Sequence, residues 1–254
     1  MVRGATGDDE LLAAIERYYD AVPRAVARAE AIGPLTLFVN AGPGWPYYAR
    51  PTPGATAFAA ADVARVRERQ RALGVPESVE WVAETTPGLR AAVAGAGLAV
   101  QAHPLLVLDR VARRRAPVPD GADVGLATPD DDLALLAAMA RVGFGVPGTA
   151  LGEVGAELLE GAADRAPERV AFARERLRAG RTITAAARVR GAQVAVGSHQ
   201  PAGGVSEVVG VATLPAFRRR GLAAAVVDLL VEDARRGGAA IVFLSADDAA
   251  VARV

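Results

Sequence analysis

Cysteine is absent from the 254 residues, so disulfides, thiolate zinc sites and cysteine nucleophiles are excluded. Lysine is absent too, and all 29 basic residues are arginine. That removes Schiff-base chemistry, lysine-linked cofactors and the lysine of a phosphate-binding P-loop. The two histidines, His103 and His199, stand too far apart for a two-histidine metal motif at helical spacing. An excess of one charge is also missing, with 29 basic residues against 29 acidic, whereas a generic nucleic-acid binder is basic. A membrane span needs about 20 consecutive apolar residues. The most apolar stretch, residues 91–108, is interrupted by Gly95, Gly97, Gln101, His103 and Pro104. The amino terminus has no apolar run of signal-peptide length. These absences predict a cytoplasmic protein with neither a nucleic-acid nor a membrane partner.

What is present is a globular composition, 52% hydrophobic and 23% charged, with length for one large domain or two. Residues 112–123 gather charge, two prolines and a glycine, as an exposed linker does. The expected division is therefore a first domain over 1–111, a linker over 112–122 and a second domain over 123–254. In the first half we expect helices over 8–22 (broken at Pro23), 24–31, 61–73 and 87–96. Strands are expected there over 36–39, 78–83 and 105–108, with a Gly/Pro/Tyr-rich loop over 41–54. The second half opens with a strand at 124–127. Thr128 and three aspartates then offer a cap and an acidic first turn for a helix ending near Phe144. A helical stretch over 154–179 has a break near 163–167. Strands at 182–189 and 193–199 form a hairpin across Arg190-Gly191-Ala192, and a third strand occupies 206–214. Leu222, Ala225, Val226, Leu229 and Leu230 recur at helical spacing, so an amphipathic helix runs to about Arg236 and ends at Gly237-Gly238. A buried strand at 239–245 comes next, and Asp247 and Asp248 open a last helix. One and a half turns is a poor ending for a domain, so the sequence is expected to stop short of its domain's end.

The unit that carries chemistry is strand, then Pro215-Ala216-Phe217-Arg218-Arg219-Arg220-Gly221-Leu222-Ala223, then helix. The first four N–H groups of a helix lack internal partners, and the helix dipole makes that end electropositive. Gly221 admits a ligand close to the backbone, and Ala223 keeps the next turn open. Three arginines add charge-assisted donors suited to phosphate. A solvated basic loop before an ordinary helix is the plainer alternative. A dinucleotide-binding site is disfavoured, because it needs more glycines and a parallel βαβ unit, whereas these strands are joined by short turns.

Residues 209–254 resemble the acetyl-CoA-binding core of the GNAT acyltransferase superfamily. Its signature, Arg/Gln-x-x-Gly-x-Gly/Ala between strand and helix, is filled by Arg218, Gly221 and Ala223. The resemblance extends over residues 124–254 in element order and implies an α+β fold with a mixed, largely antiparallel sheet flanked by helices. It further implies acetyl-CoA as co-substrate. Main-chain groups of Val211, Ala212 and Thr213 would meet the acetyl carbonyl and pantetheine amides, and amides of Arg219, Arg220, Gly221, Leu222, Ala223 and Ala224 would hold the pyrophosphate, with Arg218 in the same site. Asp248 matches a position that touches the cofactor arm, and a helix cap is the equal alternative. Glu207 matches a position where many members carry the general base, although an exposed strand-edge charge would look the same. His199, at the end of the neighbouring strand, is a weaker candidate base, with a solvated hairpin-end histidine as its plainer reading. The tyrosine that many members use to protonate the leaving thiolate would fall just after Val254. Residues 77–109 resemble the carboxy-terminal part of another GNAT domain with Val93 in place of that tyrosine, so residues 1–111 are read as a degenerate GNAT-like domain without a cofactor site.

An alkylamine with a pKa near 10.4 is only about one part in 2,500 deprotonated at pH 7, which is why a base is needed. The expected activity is acetyl transfer from acetyl-CoA to a primary amine by direct attack. The acceptor would be a small metabolite, an antibiotic-like amine, an amino-sugar thiol precursor or a peptide terminus, and a homodimer is left open. The rival is a non-catalytic acyl-CoA-binding or sensing module, which would share the cradle and lack the base.

Overall fold

The computed structural model describes residues 5–40, 42–108, 115–248 and 251–253, in two compact units, Met1–Ala102 and His103–Val254. Ala41 of the expected loop, Asp109, Arg113 and Arg114 near the expected linker, and Ala249, Ala250 and Val254 of the expected last helix lie outside the described residues.

The first unit holds α1 (Ala5–Arg24), β1 (Arg28–Ile32), β2 (Leu35–Val39), β3 (Ala49–Pro51), α2 (Ala60–Leu73) and α3 (Leu89–Gly95). Its three strands form an antiparallel sheet in the order β1-β2-β3. β2 is almost wholly buried, and Leu35, Leu37 and Ala49 pack against Val63, Val66, Leu89 and Val93. At about 1.5–3 kcal/mol per large buried aliphatic side chain, this cluster is what holds the unit together. Two expectations change here. Residues 28–32 pair with β2 across a tight turn at Gly33 (φ 59°) and are strand, not helix, because a buried β2 needs a partner on that edge. The strand expected at 78–83 is reduced to a single bridge, Ala49 with Val79.

The second unit holds β4 (Leu105–Val107), β5 (Ala122–Leu126), α4 (Leu133–Phe144), α5 (Leu159–Ala162), α6 (Pro167–Arg178), β6 (Ile183–Val189), β7 (Ala192–Ala202), β8 (Val205–Thr213), α7 (Leu222–Arg236) and β9 (Ile241–Ser245). The sheet order is β4-β9-β8-β7-β6-β5, with β8 and β9 parallel and every other pair antiparallel. This is the mixed, largely antiparallel sheet flanked by helices expected of the sequence. α7 covers one face through Leu222, Val226, Leu230 and Val231 on Ala185, Ala187, Val194 and Val208. α4 covers the other through Leu133, Leu136 and Met139 on Ala186, Val196, Ala212 and Leu214. Asp132, the last of the residues offered as a cap, caps α4, its Oδ1 accepting from the Leu135 amide at 3.0 Å.

The strand expected to close the first half belongs elsewhere. β4 pairs antiparallel with β9, Leu105 with Ser245 and Val107 with Phe243, so it completes the second unit's sheet. The division along the chain accordingly falls between Ala102 and His103, before the proline-rich segment, and β5 begins inside the expected linker, at Ala122.

Candidate active site

Among the described residues β8 is paired along both edges at its start and along one edge at its end. Its parallel ladder with β9 runs only from Val205–Ile241 to Val208–Leu244, whereas its ladder with β7 continues to Thr213 opposite Ala195. Between these regions lies a β-bulge: Gly210, at φ 64°, and Val211 stand against the single residue Gly197. A bulge bends its strand and re-aims the residues beyond it. Gly197 sits under it because a Cβ there would lie 3.1 Å from Val211 Cγ2 and from Val226 Cγ1. Past the bulge the Leu214 amide donates to the Val194 carbonyl, so Leu214 and Ala212 turn their main chains toward β7. By alternation Val211 and Thr213 turn theirs to the open edge. Of the three residues expected here, then, Ala212 offers its main chain to β7, and its side chain packs beneath α4.

The chain then makes a 3-10 turn at Pro215–Phe217 and enters α7 through two left-handed residues, Arg219 (φ 59°) and Gly221 (φ 77°). A non-glycine residue pays about 1–2 kcal/mol for that conformation, and alternating turns of this kind gather N–H groups into an anion-binding concavity. Gly221 is the N-cap of α7 and no side chain caps the helix among the described residues, leaving its first-turn amides, Leu222 to Ala224, without a side-chain acceptor. The three arginines differ. Arg219 is exposed and its guanidinium has no partner among the described residues. Arg220 lies over the Phe217 ring at 5.0 Å and donates to the Ala216 carbonyl at 3.0 Å. Arg218, expected to face phosphate, instead donates to four main-chain carbonyls: Thr213 at 3.2 Å, Ala150 at 3.3 Å, Gly143 at 2.9 Å and Val146 at 2.6 Å.

A family model for the acetyltransferase (GNAT) family matches residues 159–253, from α5 through β9. Residues 159–253 of the second unit thus match the GNAT acyltransferase family. A GCN5-related N-acetyltransferase from Kribbella flavida is similar over 93% of this chain and 86% of its own, at 23% identity and a TM-score of 0.68, so the fold is shared across both units. An aminoglycoside acetyltransferase from an uncultured soil metagenomic sample is 23% identical over 50% of this chain and 81% of its own, with a TM-score of 0.38. A predicted acetyltransferase with acetyl-CoA from Clostridium acetobutylicum is 14% identical over 51% and 83%, with a TM-score of 0.36. Among curated proteins none matches.

Within the second unit the remaining expected residues separate by face. Ser206 faces α7, because its Oγ is 2.8 Å from His199 Nδ1 and His199 Nε2 is 3.1 Å from Asp233 Oδ2 on α7. Glu207, the next residue along β8, therefore points to the opposite face, upstream of the bulge. His199 is 1% exposed and Ser206 is fully buried, so neither of these two groups is open to substrate. Burial holds the His199 pKa below the ordinary value and outweighs the Asp233 carboxylate, which raises it. His199 is thus a core group bridging β7, β8 and α7, and not the solvated hairpin end the sequence suggested. Its Nε2–H donates to Asp233, and Nδ1 then accepts from Ser206. Asp248 is seen as a cap, its Oδ1 accepting from the Val251 amide at 2.8 Å. Thr213 Oγ1 is buried at the open edge with no hydrogen-bond partner among the described residues, an orphan that a polar arm laid along β8 would satisfy. No sequence signal pointed to that hydroxyl beyond its place in the strand.

Proposed function

We propose that the second unit transfers an acetyl group from acetyl-CoA to a primary amine. The observation that carries this is the single-edged end of β8: the outward main chains of Val211 and Thr213, with the orphan Thr213 hydroxyl, lead straight into the electropositive start of α7. A pantetheine arm carries amides that such an edge can pair as a strand would, and its diphosphate then reaches the amides of Arg219 to Ala224, with Arg219 free to add a guanidinium. The thioester carbonyl lies against the Val211 amide, which stabilises the developing oxyanion by about 2.7–4 kcal/mol. The neutral amine attacks, the carbon–sulfur bond breaks and the thiolate leaves, taking a proton from solvent. Glu207 takes the amine proton. At about 3.3 Å per residue it lies roughly 10–13 Å upstream of Val211, so the proton travels through ordered water. Asp248 contributes by fixing the turn after β9. The acceptor is a small-molecule or peptide amine. The first unit is, in the same proposal, a GNAT-like domain that has lost its cofactor site.

The test is calorimetric titration of acetyl-CoA into the wild type and Gly221→Glu, which sets a carboxylate against the diphosphate. Micromolar binding that the variant loses supports the cradle, and equal binding by both places acetyl-CoA elsewhere. Glu207→Gln is expected to lower turnover at least 100-fold with unchanged acetyl-CoA affinity; unchanged turnover would remove Glu207 as base. Binding without turnover toward any amine acceptor would favour the sensing module.

A further inference from the structure

The signature arginine has an occupation that its charge does not suggest. Its hydrogen bonds among the described residues all go to main-chain oxygens, and these come from three places: the end of β8 (Thr213), the last turn of α4 (Gly143) and the segment after it (Val146 and Ala150). The Gly143 carbonyl is among the last four of α4, which lack intrahelical partners and favour cationic donors. A planar guanidinium with five N–H groups can serve four acceptors at fixed angles, and a lysine ammonium cannot. The same segment is stitched to the 3-10 turn by two further bonds, from the Gly152 amide to the Pro215 carbonyl at 3.2 Å and from the Ala216 amide to the Val154 carbonyl at 3.0 Å. Arg218 extends this stitching to Thr213, where β8 has lost β9 as a neighbour.

We propose that Arg218 is a positioning residue, whose guanidinium clamps the free end of β8 to the carboxyl end of α4 so that the Val211 and Thr213 main chains are held ready for the thioester, and that it is not a phosphate ligand. This rests on the acyl-CoA reading above. A phosphate ligand and a clamp make opposite demands on charge. Removing a phosphate ligand weakens the salt dependence of binding, whereas removing a clamp leaves it intact. A ligand tolerates Arg218→Lys, and a clamp does not.

The experiment compares wild type, Arg218→Lys, Arg218→Ala and Arg219→Ala. The two main-chain bonds at Pro215 and Val154 remain in each, and circular dichroism checks that each is folded. Acetyl-CoA affinity is measured from 50 to 300 mM salt, turnover is measured with the best amine acceptor, and native-state hydrogen exchange is followed at residues 145–151 and 209–213. Arg218→Lys and Arg218→Ala should be impaired alike, with kcat reduced about tenfold or more and the salt slope of wild type retained. Both should show faster exchange in the two segments, with α7 unchanged. Added guanidinium ion should restore part of kcat to Arg218→Ala and none to Arg219→Ala, a recovery that general loosening of the fold would not give. Arg219→Ala should flatten the salt slope. A wild-type-like Arg218→Lys, or a flattened slope in Arg218→Ala, overturns the clamp and makes Arg218 a phosphate ligand. If Arg218→Ala does not fold, Arg218→Lys alone decides through its exchange pattern and kcat. Failure of the wild type itself to bind acetyl-CoA is the separate outcome that overturns the acyl-CoA reading and the clamp's purpose with it.

Discussion

Gly143 and Ala212 meet where α4 crosses the end of β8, and there is no room between them: a Cβ on Gly143 would sit 2.8 Å from Ala212 Cβ and 3.7 Å from the Thr213 amide nitrogen. Gly143→Ala gains about 1 kcal/mol of helix propensity. Overpacking costs roughly 1–3 kcal/mol, and it wins here because the atom met is fixed to β8's backbone and is not the end of a flexible chain. We expect a net loss of up to about 2 kcal/mol in urea unfolding, with weaker acetyl-CoA binding as Ala212 is pushed outward. His199 offers a second test at this scale. Its folded pKa lies below the ordinary histidine value, so as pH falls through about 6.5 the unfolded chain takes up a proton that the folded chain refuses, and stability declines. The urea midpoint of wild type should fall more between pH 7.5 and pH 5 than that of His199→Gln. Equal slopes would mean that His199 is not the titrating group. The sequence placed His199 at a hairpin end because the strand was expected to stop there. β7 continues to Ala202, and three more residues of ladder turn an end into an interior. Arg218 shows the complementary gap: a signature motif names a residue type at a spacing, and where a long side chain goes is decided by carbonyls far away in the chain.

Elements with strong local punctuation were legible. The hairpin at Gly191, the apolar stripe of α7 and its Gly237-Gly238 stop all lie within a residue or two of where pattern and turn chemistry put them. The misses are elements whose state is set by a neighbour. Residues 28–32 are rich in alanine, arginine and glutamate and favour helix locally, and pairing with the buried β2 overrides that preference. β4 was legible as a strand and not in its partnership, since three apolar residues carry no record of which sheet they join. It covers the outer edge of β9, and an uncovered edge is a template for association. Leu106→Pro removes a ladder donor and stiffens the strand. We expect a lower thermal midpoint and, by light scattering, association at concentrations where wild type stays dispersed. A variant that remains as stable and as dispersed as wild type would show that β4 contributes nothing to the sheet.

Over the whole molecule, balanced charge and a sequence pI near 6.8 leave little mutual repulsion between copies at neutral pH. Solubility measured by polyethylene glycol precipitation should pass through a minimum near pH 7 and rise by pH 8.5. A flat profile would point to apolar patches, among them exposed Phe144 and Leu151, as the cause of association. The likeness to GNAT acyltransferases was legible at this scale because its signature joins a glycine, a strand and a helix start. The partition of the chain was less so, because composition marks where a chain is exposed and not which sheet a strand completes.

That partition bears on how the protein is made. β4 leaves the ribosome before any other strand of its sheet, and its partner β9 emerges about 130 residues later, which at roughly 5–20 residues per second is on the order of ten seconds. Through that interval a short apolar segment waits unpaired while the strands between are synthesised. An outer rung of the sheet is thus translated first, so the ladder between β4 and β9 can close only when β9 arrives, and a pause in synthesis between residues 108 and 241 lengthens the exposure of β4 to every other strand edge nearby.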